Sequence, residues 1–271
     1  MSDKTVLVTG GTRGIGLATG LEFGAAGARV VLTYKWGSAS EEAIVEAFAA
    51  RGGRAPTLLE ADVSNEDDTR ALLDAIARTH DGIDVFVSNV AFAQRTPTLE
   101  SYKKRSFFKT LEYSAWPLVH YTAAIKERFG RYPGHVIGVS SDGGERHYPA
   151  YDFVAASKAV LESFARYLAV HIKEEGGRVN VVRFGMVKTD SFEQMFGPDF
   201  AEFLRREGFG DDDLLQPHDC GKAILALCSG LLDAMTGEVI TVDRGMAFLD
   251  NMMMRYHRQS EASPAGGNRT E

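Results

Sequence analysis

The chain has 271 residues, of which 44% are hydrophobic and 25% charged, and a formal net charge of −7. That length suits one α/β unit with a sizeable core, and the acidic balance argues against a nucleic-acid partner, which needs a basic face. No apolar stretch approaches a membrane span, no leader is expected before the apolar run at 6–8, and Cys220 and Cys228 lie too far apart on one expected helix for a disulfide; a cytoplasmic protein is expected.

Residues 4–9 read as a short buried strand, 10–16 as a glycine turn, and about 15–26 as a helix that Gly27 ends. A β-branched strand at 29–34 follows, then a helix at 40–50 with Ser40 as its N-cap, stopped by Arg51-Gly52-Gly53. Next come a strand at 57–60, a helix at 66–79, a strand at 85–88 and a long helical region at about 101–129. Strands at 135–139, 179–183 and 239–242 alternate with helical segments at 153–174, 192–207 and 217–227. Such alternation implies a seven-stranded parallel sheet with right-handed crossovers and helices on both faces. No repeat or linker divides the chain; one domain spans 1–257, and the polar tail at 258–271 is expected to be disordered.

Thr9-Gly10-Gly11-Thr12-Arg13-Gly14-Ile15-Gly16 joins the first strand to the first helix. Gly10 allows the tight turn, Gly14 lets a pyrophosphate approach the backbone, and Gly16 lets the helix pack closely, with the helix N-terminus facing the phosphates. In this setting the loop marks a Rossmann-type, doubly wound dinucleotide fold.

The spacing Thr-Gly-x-x-x-Gly-x-Gly resembles that of the short-chain dehydrogenase/reductase family, and the likeness extends over about residues 4–248. Asp62-Val63 is similar to the family's adenine-contacting pair, Ser88-Asn89-Val90-Ala91 to its Asn-Asn-Ala-Gly, and Val242-Asp243-Arg244-Gly245 to its C-terminal signature. Gly185 follows Phe184 where the family has Pro-Gly, and Val187-Lys188-Thr189 resembles the segment that holds the cofactor carboxamide. The resemblance implies a nicotinamide cofactor bound by these residues and by Lys158, and a homodimer or homotetramer built through 101–129 and 153–174.

An NAD-preferring site usually places an acid at the end of the second strand. Here that strand ends Tyr34-Lys35-Trp36, with no acid until Glu41, and Arg13 sits in the glycine loop. Two cations and no carboxylate favour a 2′-phosphate, hence NADPH.

Resemblance also implies a Ser-Tyr-Lys reaction centre. Ser141 and Lys158 keep their family places, with Ser140 as a competitor for the first. The family's Tyr-x-x-x-Lys would put tyrosine at 154, where this chain has Val154, which cannot exchange a proton. Tyr151, seven residues before Lys158, shares its helical face and is the replacement, with Tyr148 as the alternative. The change of spacing moves the anchor about 4.5 Å along the axis. That suits an enoyl thioester, whose oxygen lies ångströms from the carbon that takes hydride. Residues 143–158 also resemble those of enoyl-acyl-carrier-protein reductases and cyclohexenylcarbonyl-CoA reductase, which use Tyr-x6-Lys. The family's usual asparagine is missing from 101–129, with Ser114 near its place.

Phe192, Met195, Phe196, Phe200, Phe203, Leu204 and Phe209 give the segment 190–216 an apolar face. It reads as a lid over a greasy acyl substrate, small or carrier-bound. The expected activity is NADPH-dependent reduction of an α,β-unsaturated acyl thioester. A carbonyl reductase and a cofactor-binding scaffold without turnover are the alternatives. No metal site is expected.

Overall fold

The computed structural model describes residues 1–36, 40–197 and 199–253. The tail expected at 258–271 lies outside them. Seven strands form one sheet: β1 (Thr5–Val8), β2 (Arg29–Tyr34), β3 (Thr57–Glu60), β4 (Val85–Ser88), β5 (His135–Ser141), β6 (Arg178–Phe184) and β7 (Val239–Val242). Their order is β3-β2-β1-β4-β5-β6-β7, and every pairing is parallel. The connections reverse direction between β1 and β4, which opens a crevice at the carboxyl ends of these strands.

Side-chain alternation divides the core into two layers. Leu7 of β1 and Val31 of β2 face a layer shared with α3 (Glu66–Ala77), α4 (Lys104–Ser114), α5 (Trp116–Phe129) and α6 (Asp152–Ile172). Their neighbours Val6, Val8, Val30 and Leu32 face a layer shared with α1 (Gly14–Ala25), α2 (Glu41–Ala49) and α9 (Pro217–Leu227). Between β6 and α9 lie α7 (Asp190–Phe196) and α8 (Phe200–Arg206), and the short α10 (Met246–Leu249) follows β7.

Local chemistry sets the boundaries. Ser40 caps α2 by accepting from the Ala43 N–H at 3.1 Å, and Asn65 caps α3 by accepting from Asp67 N and Asp68 N. The helical region expected at 101–129 is two helices broken at Ala115 (φ −120°, ψ −49°). Pro117 has no N–H to continue the ladder and its ring clashes with the preceding turn, so α5 starts afresh there. The segment expected at 192–207 likewise splits into α7 and α8 at Gly197, whose φ of +93° no helix accepts. Cys220 and Cys228 are buried free thiols, both pushed up in pKa by burial.

Candidate active site

Gly10 takes φ +62°, and a Cβ there would come within 2.9 Å of the Val90 side chain. A Cβ on Gly16 would collide with the Gly10 carbonyl oxygen, so the third glycine lets helix and loop touch rather than helix and sheet. Asn89 stitches this loop to β4: its side-chain amide donates to the carbonyls of Thr9 (3.0 Å) and Gly10 (3.1 Å). The first turn of α1 has no side-chain cap and no acidic residue. Its N–H donors, with the positive end of the helix dipole, fit a pyrophosphate.

A cleft of about 320 Å³ opens beside this loop. Gly10, Arg13, Gly14, Ile15, Asn89, Val90, Ala91, Gly185, Val187 and Thr189 line it, as do Ser141, Tyr151, Val154 and Lys158. Thr12 and Gly16 are buried behind the loop, and Val63 belongs to the core. Thr189 also caps α7, accepting from Phe192 N at 3.2 Å.

Tyr34, Lys35 and Asp62 stand outside the lining, at the ends of β2 and β3. Lys35 forms an ion pair with Asp62, whose carboxylate also accepts from the Tyr113 hydroxyl at 3.0 Å. The Lys35 ammonium lies 4.3 Å from the Trp36 ring, and Trp36 stacks on Tyr113 with centroids 5.8 Å apart. Lys35 is thus already engaged by a carboxylate, whereas Arg13 is exposed on the cleft.

Lys158 is buried, and its Nζ donates to the Val139 carbonyl at 2.7 Å. Burial lowers its pKa to about 8, and Glu162 opposes that shift. Tyr151 occupies the N-cap of α6 (φ −103°, ψ 4°) and lines the cleft with Ser141, whose hydroxyl accepts from the Gly143 N–H at 3.2 Å. Burial raises the Tyr151 pKa; the Ser141 hydroxyl works against this and the charge of Asp142 adds to it.

Tyr148 has a different setting. Its hydroxyl donates to Asp142 Oδ2 at 2.7 Å, and burial followed by that carboxylate raises its pKa. Its ring meets Tyr151 edge to face, with centroids 5.8 Å apart. Both rings press on Gly143, where a Cβ would lie 2.6 Å from Tyr151 and 2.9 Å from Tyr148. Asp142 itself is buried, which raises its carboxyl pKa despite the Tyr148 bond and Arg146 at 3.8 Å. Ser140, the alternative serine, donates instead to Glu162 at 2.7 Å. Ser114, near the place of the missing asparagine, accepts from Phe92 N at 2.9 Å and fixes the loop that carries Ala91 and Ala93.

The segment expected to form a lid is pinned at both ends: Lys188 N donates to the Leu215 carbonyl at 2.9 Å, and Leu215 N to the Met186 carbonyl at 3.0 Å. Phe192 and Met195 face the cleft. Leu204 and Phe209 pack with Leu214 and Met246. A second cavity of about 220 Å³ shares Tyr148, Met186 and Phe192 with the cleft and is walled by Phe200, Phe203 and Phe209. The side chain of Phe196 lies outside the described residues. Asp142, Met186 and the Glu162 partnership carry no sequence motif; the Asp-Gly-Gly after Ser141 is the one local sign of the buried carboxyl's turn.

A doubly wound sheet, a glycine loop at its switch point, and a tyrosine, serine and lysine in the adjoining cleft define a nicotinamide-dependent oxidoreductase. A family model described as enoyl-(acyl carrier protein) reductase matches residues 10–247, and the chain belongs to the short-chain dehydrogenase/reductase family. It is 30% identical over 253 residues to a 3-oxoacyl-acyl-carrier-protein reductase of Haemophilus influenzae, covering 91% of this chain and 99% of that one. It is 28% identical over 256 residues to an NADH-using enoyl-acyl-carrier-protein reductase of Aquifex aeolicus, covering 90% and 92%. A solved dehydrogenase/reductase from Sinorhizobium meliloti superposes with a TM-score of 0.78 at 26% identity, covering 90% and 95%. Among the described residues no helix is long and apolar enough to cross a membrane, and no cluster of metal-ligating side chains occurs.

Proposed function

We propose that the protein reduces the ketone of a 3-oxoacyl thioester, or of a related acyl ketone, with NADPH. The observation that carries this reading is that Tyr151 and Ser141 line the cleft that also holds Lys158, with the Ser141 hydroxyl acting to lower the Tyr151 pKa. Two hydroxyls in one cleft can address one substrate oxygen, which is the demand of a carbonyl. The longer spacing to Lys158 moves the tyrosine anchor, and the Tyr151 ring lies against Gly143 in the loop after β5. The 3-oxoacyl reductase among the relatives agrees.

NADPH, when bound, supplies the hydride. Ser141 orients the carbonyl oxygen, and Tyr151 gives that oxygen its proton as negative charge develops on it. Lys158 holds positive charge beside the site and binds the cofactor ribose. Arg13, exposed on the cleft, supports the 2′-phosphate preference, and the aromatic second cavity offers room for the acyl body. Reduction of a conjugated C=C bond is the second reading, favoured by the Tyr151-to-Lys158 spacing and by the family description. Assembly as a dimer or tetramer fits the apolar side chains left exposed on α5 and α6: Trp116, Tyr167 and Val170.

The test is a set of initial rates of NADPH and NADH oxidation with acetoacetyl-CoA and crotonyl-CoA. Turnover of the ketone with NADPH is expected, and Arg13→Ala should weaken NADPH more than NADH. Turnover of crotonyl-CoA alone would replace the first reading with the second.

A further inference from the structure

Behind the cleft lies a buried ionic network that none of the site's chemistry has used. Glu162 stands one helical turn after Lys158 on α6, on the same face. Its carboxylate is gripped by Arg183 of β6, with Nε donating to Oε1 at 3.0 Å and an Nη donating to Oε2 at 2.7 Å. Ser140 of β5 donates to the same Oε1 at 2.7 Å. The guanidinium also pairs at 2.7 Å with Glu145, on the exposed side of the turn after Ser141. Glu162 is 7% exposed and Arg183 8%. Two buried charges at this depth cost much in desolvation, and an apolar pair of the same volume would hold the elements together as well. Architecture alone therefore does not account for them.

We propose that Glu162 is the counter-ion of Lys158, a positioning residue that keeps the buried amine charged, and that Arg183 sets how much of the carboxylate's field reaches it. The inference rests on the reading of Lys158 as the lysine of the site. Charged or titratable groups near Lys158 come from each element packed there: Glu162 and the Tyr151 hydroxyl on α6, Asp142 and Glu145 after β5, and Arg183 on β6. Lys158 Nζ sits on the Val139 carbonyl and the Glu162 carboxylate on the Ser140 hydroxyl, neighbours on β5, so the carboxylate lies close to the amine without a direct ion pair and favours its protonated form. Arg183 stands against the same carboxylate and offsets part of its charge.

The two partners should therefore act in opposite senses. Removing the carboxylate leaves the buried amine without its nearby negative charge and with a guanidinium held by Glu145 alone, so its proton leaves more easily. Removing the guanidinium leaves the carboxylate undiminished, so the proton is held more firmly. A purely structural ion pair would give both variants the same loss of stability and no opposed titration.

The experiment is a 13C-lysine NMR titration of the whole protein without cofactor or substrate, with the Lys158 resonance assigned by Lys158→Met. Relative to the wild type, Glu162→Gln should move the Lys158 midpoint down by about one pH unit and Arg183→Met should move it up. Glu162→Asp and Arg183→Lys, which keep each charge and fold more readily, should shift it by less and in the same respective directions. Midpoints that stay put, or that move the same way in both variants, would overturn the proposal. The readout needs no turnover, so a protein inactive on every ketone but with opposed shifts would fail the functional reading and not this one.

Discussion

Lys158 and the two tyrosines show how much the site asks of single residues. Burial depresses the Lys158 pKa from its ordinary 10.5 to about 8. The unfolded chain therefore binds the proton more tightly, and stability rises as the pH climbs from about 8 to 10.5, with the full cost present below that window. A shift of this size corresponds to about 3 kcal/mol. Lys158→Met should accordingly melt above the wild type at pH 7 while losing turnover, and thermal melts across pH 7–10.5 should show the advantage shrinking. A mutant less stable than the wild type at pH 7 would count against the burial argument. Tyr148 has a bracing role in this account. Tyr148→Phe keeps the ring against Tyr151 but leaves buried Asp142 without its donor, so it should cost about 1–3 kcal/mol in urea unfolding and retain turnover. That Tyr151 and Lys158 line one cleft could be expected from their spacing along the chain, although Tyr151 caps α6 rather than lying within it. The partners of Asp142, Glu162 and Arg183 were not, because β5, β6 and α6 meet only in the folded chain.

Among the elements, the helices before and after the cleft differ most from what periodicity implies. The apolar spacing runs through 101–129 without interruption, and only the missing N–H of Pro117 turns one helix into two. That break leaves Ser114 at the end of α4, where its hydroxyl holds Phe92 N. Ser114→Ala would leave a partly buried N–H unpaired and release the loop bearing Ala91 and Ala93. A loss of about 1–3 kcal/mol in stability is expected, together with weaker cofactor binding measured by fluorescence titration. Unchanged cofactor affinity would show that the loop is held by other means. The segment 190–216 carries helices as its apolar spacing implies, but its division at Gly197 depends on a positive φ that periodicity does not reveal.

At the scale of the whole molecule, strand–helix alternation and right-handed crossovers were enough to read a parallel, doubly wound sheet. The glycine loop then placed the crevice at the point where the strand order reverses, between β1 and β4. The bond that is reduced was harder to read. Spacing along α6 fixes where the Tyr151 anchor sits, while the direction of its ring depends on the β5 loop and Gly143. Spacing alone pointed to a C=C bond; the presence of Tyr151 and Ser141 in one cleft supports the proposed carbonyl. The most direct measurement offers the enzyme an equal mixture of acetoacetyl and crotonyl thioesters with NADPH and identifies the products by mass spectrometry, for the wild type and for Tyr151→Phe. The account predicts 3-hydroxybutyryl thioester from the wild type and none from Tyr151→Phe. Butyryl thioester as the sole product, or full activity without the Tyr151 hydroxyl, would contradict it.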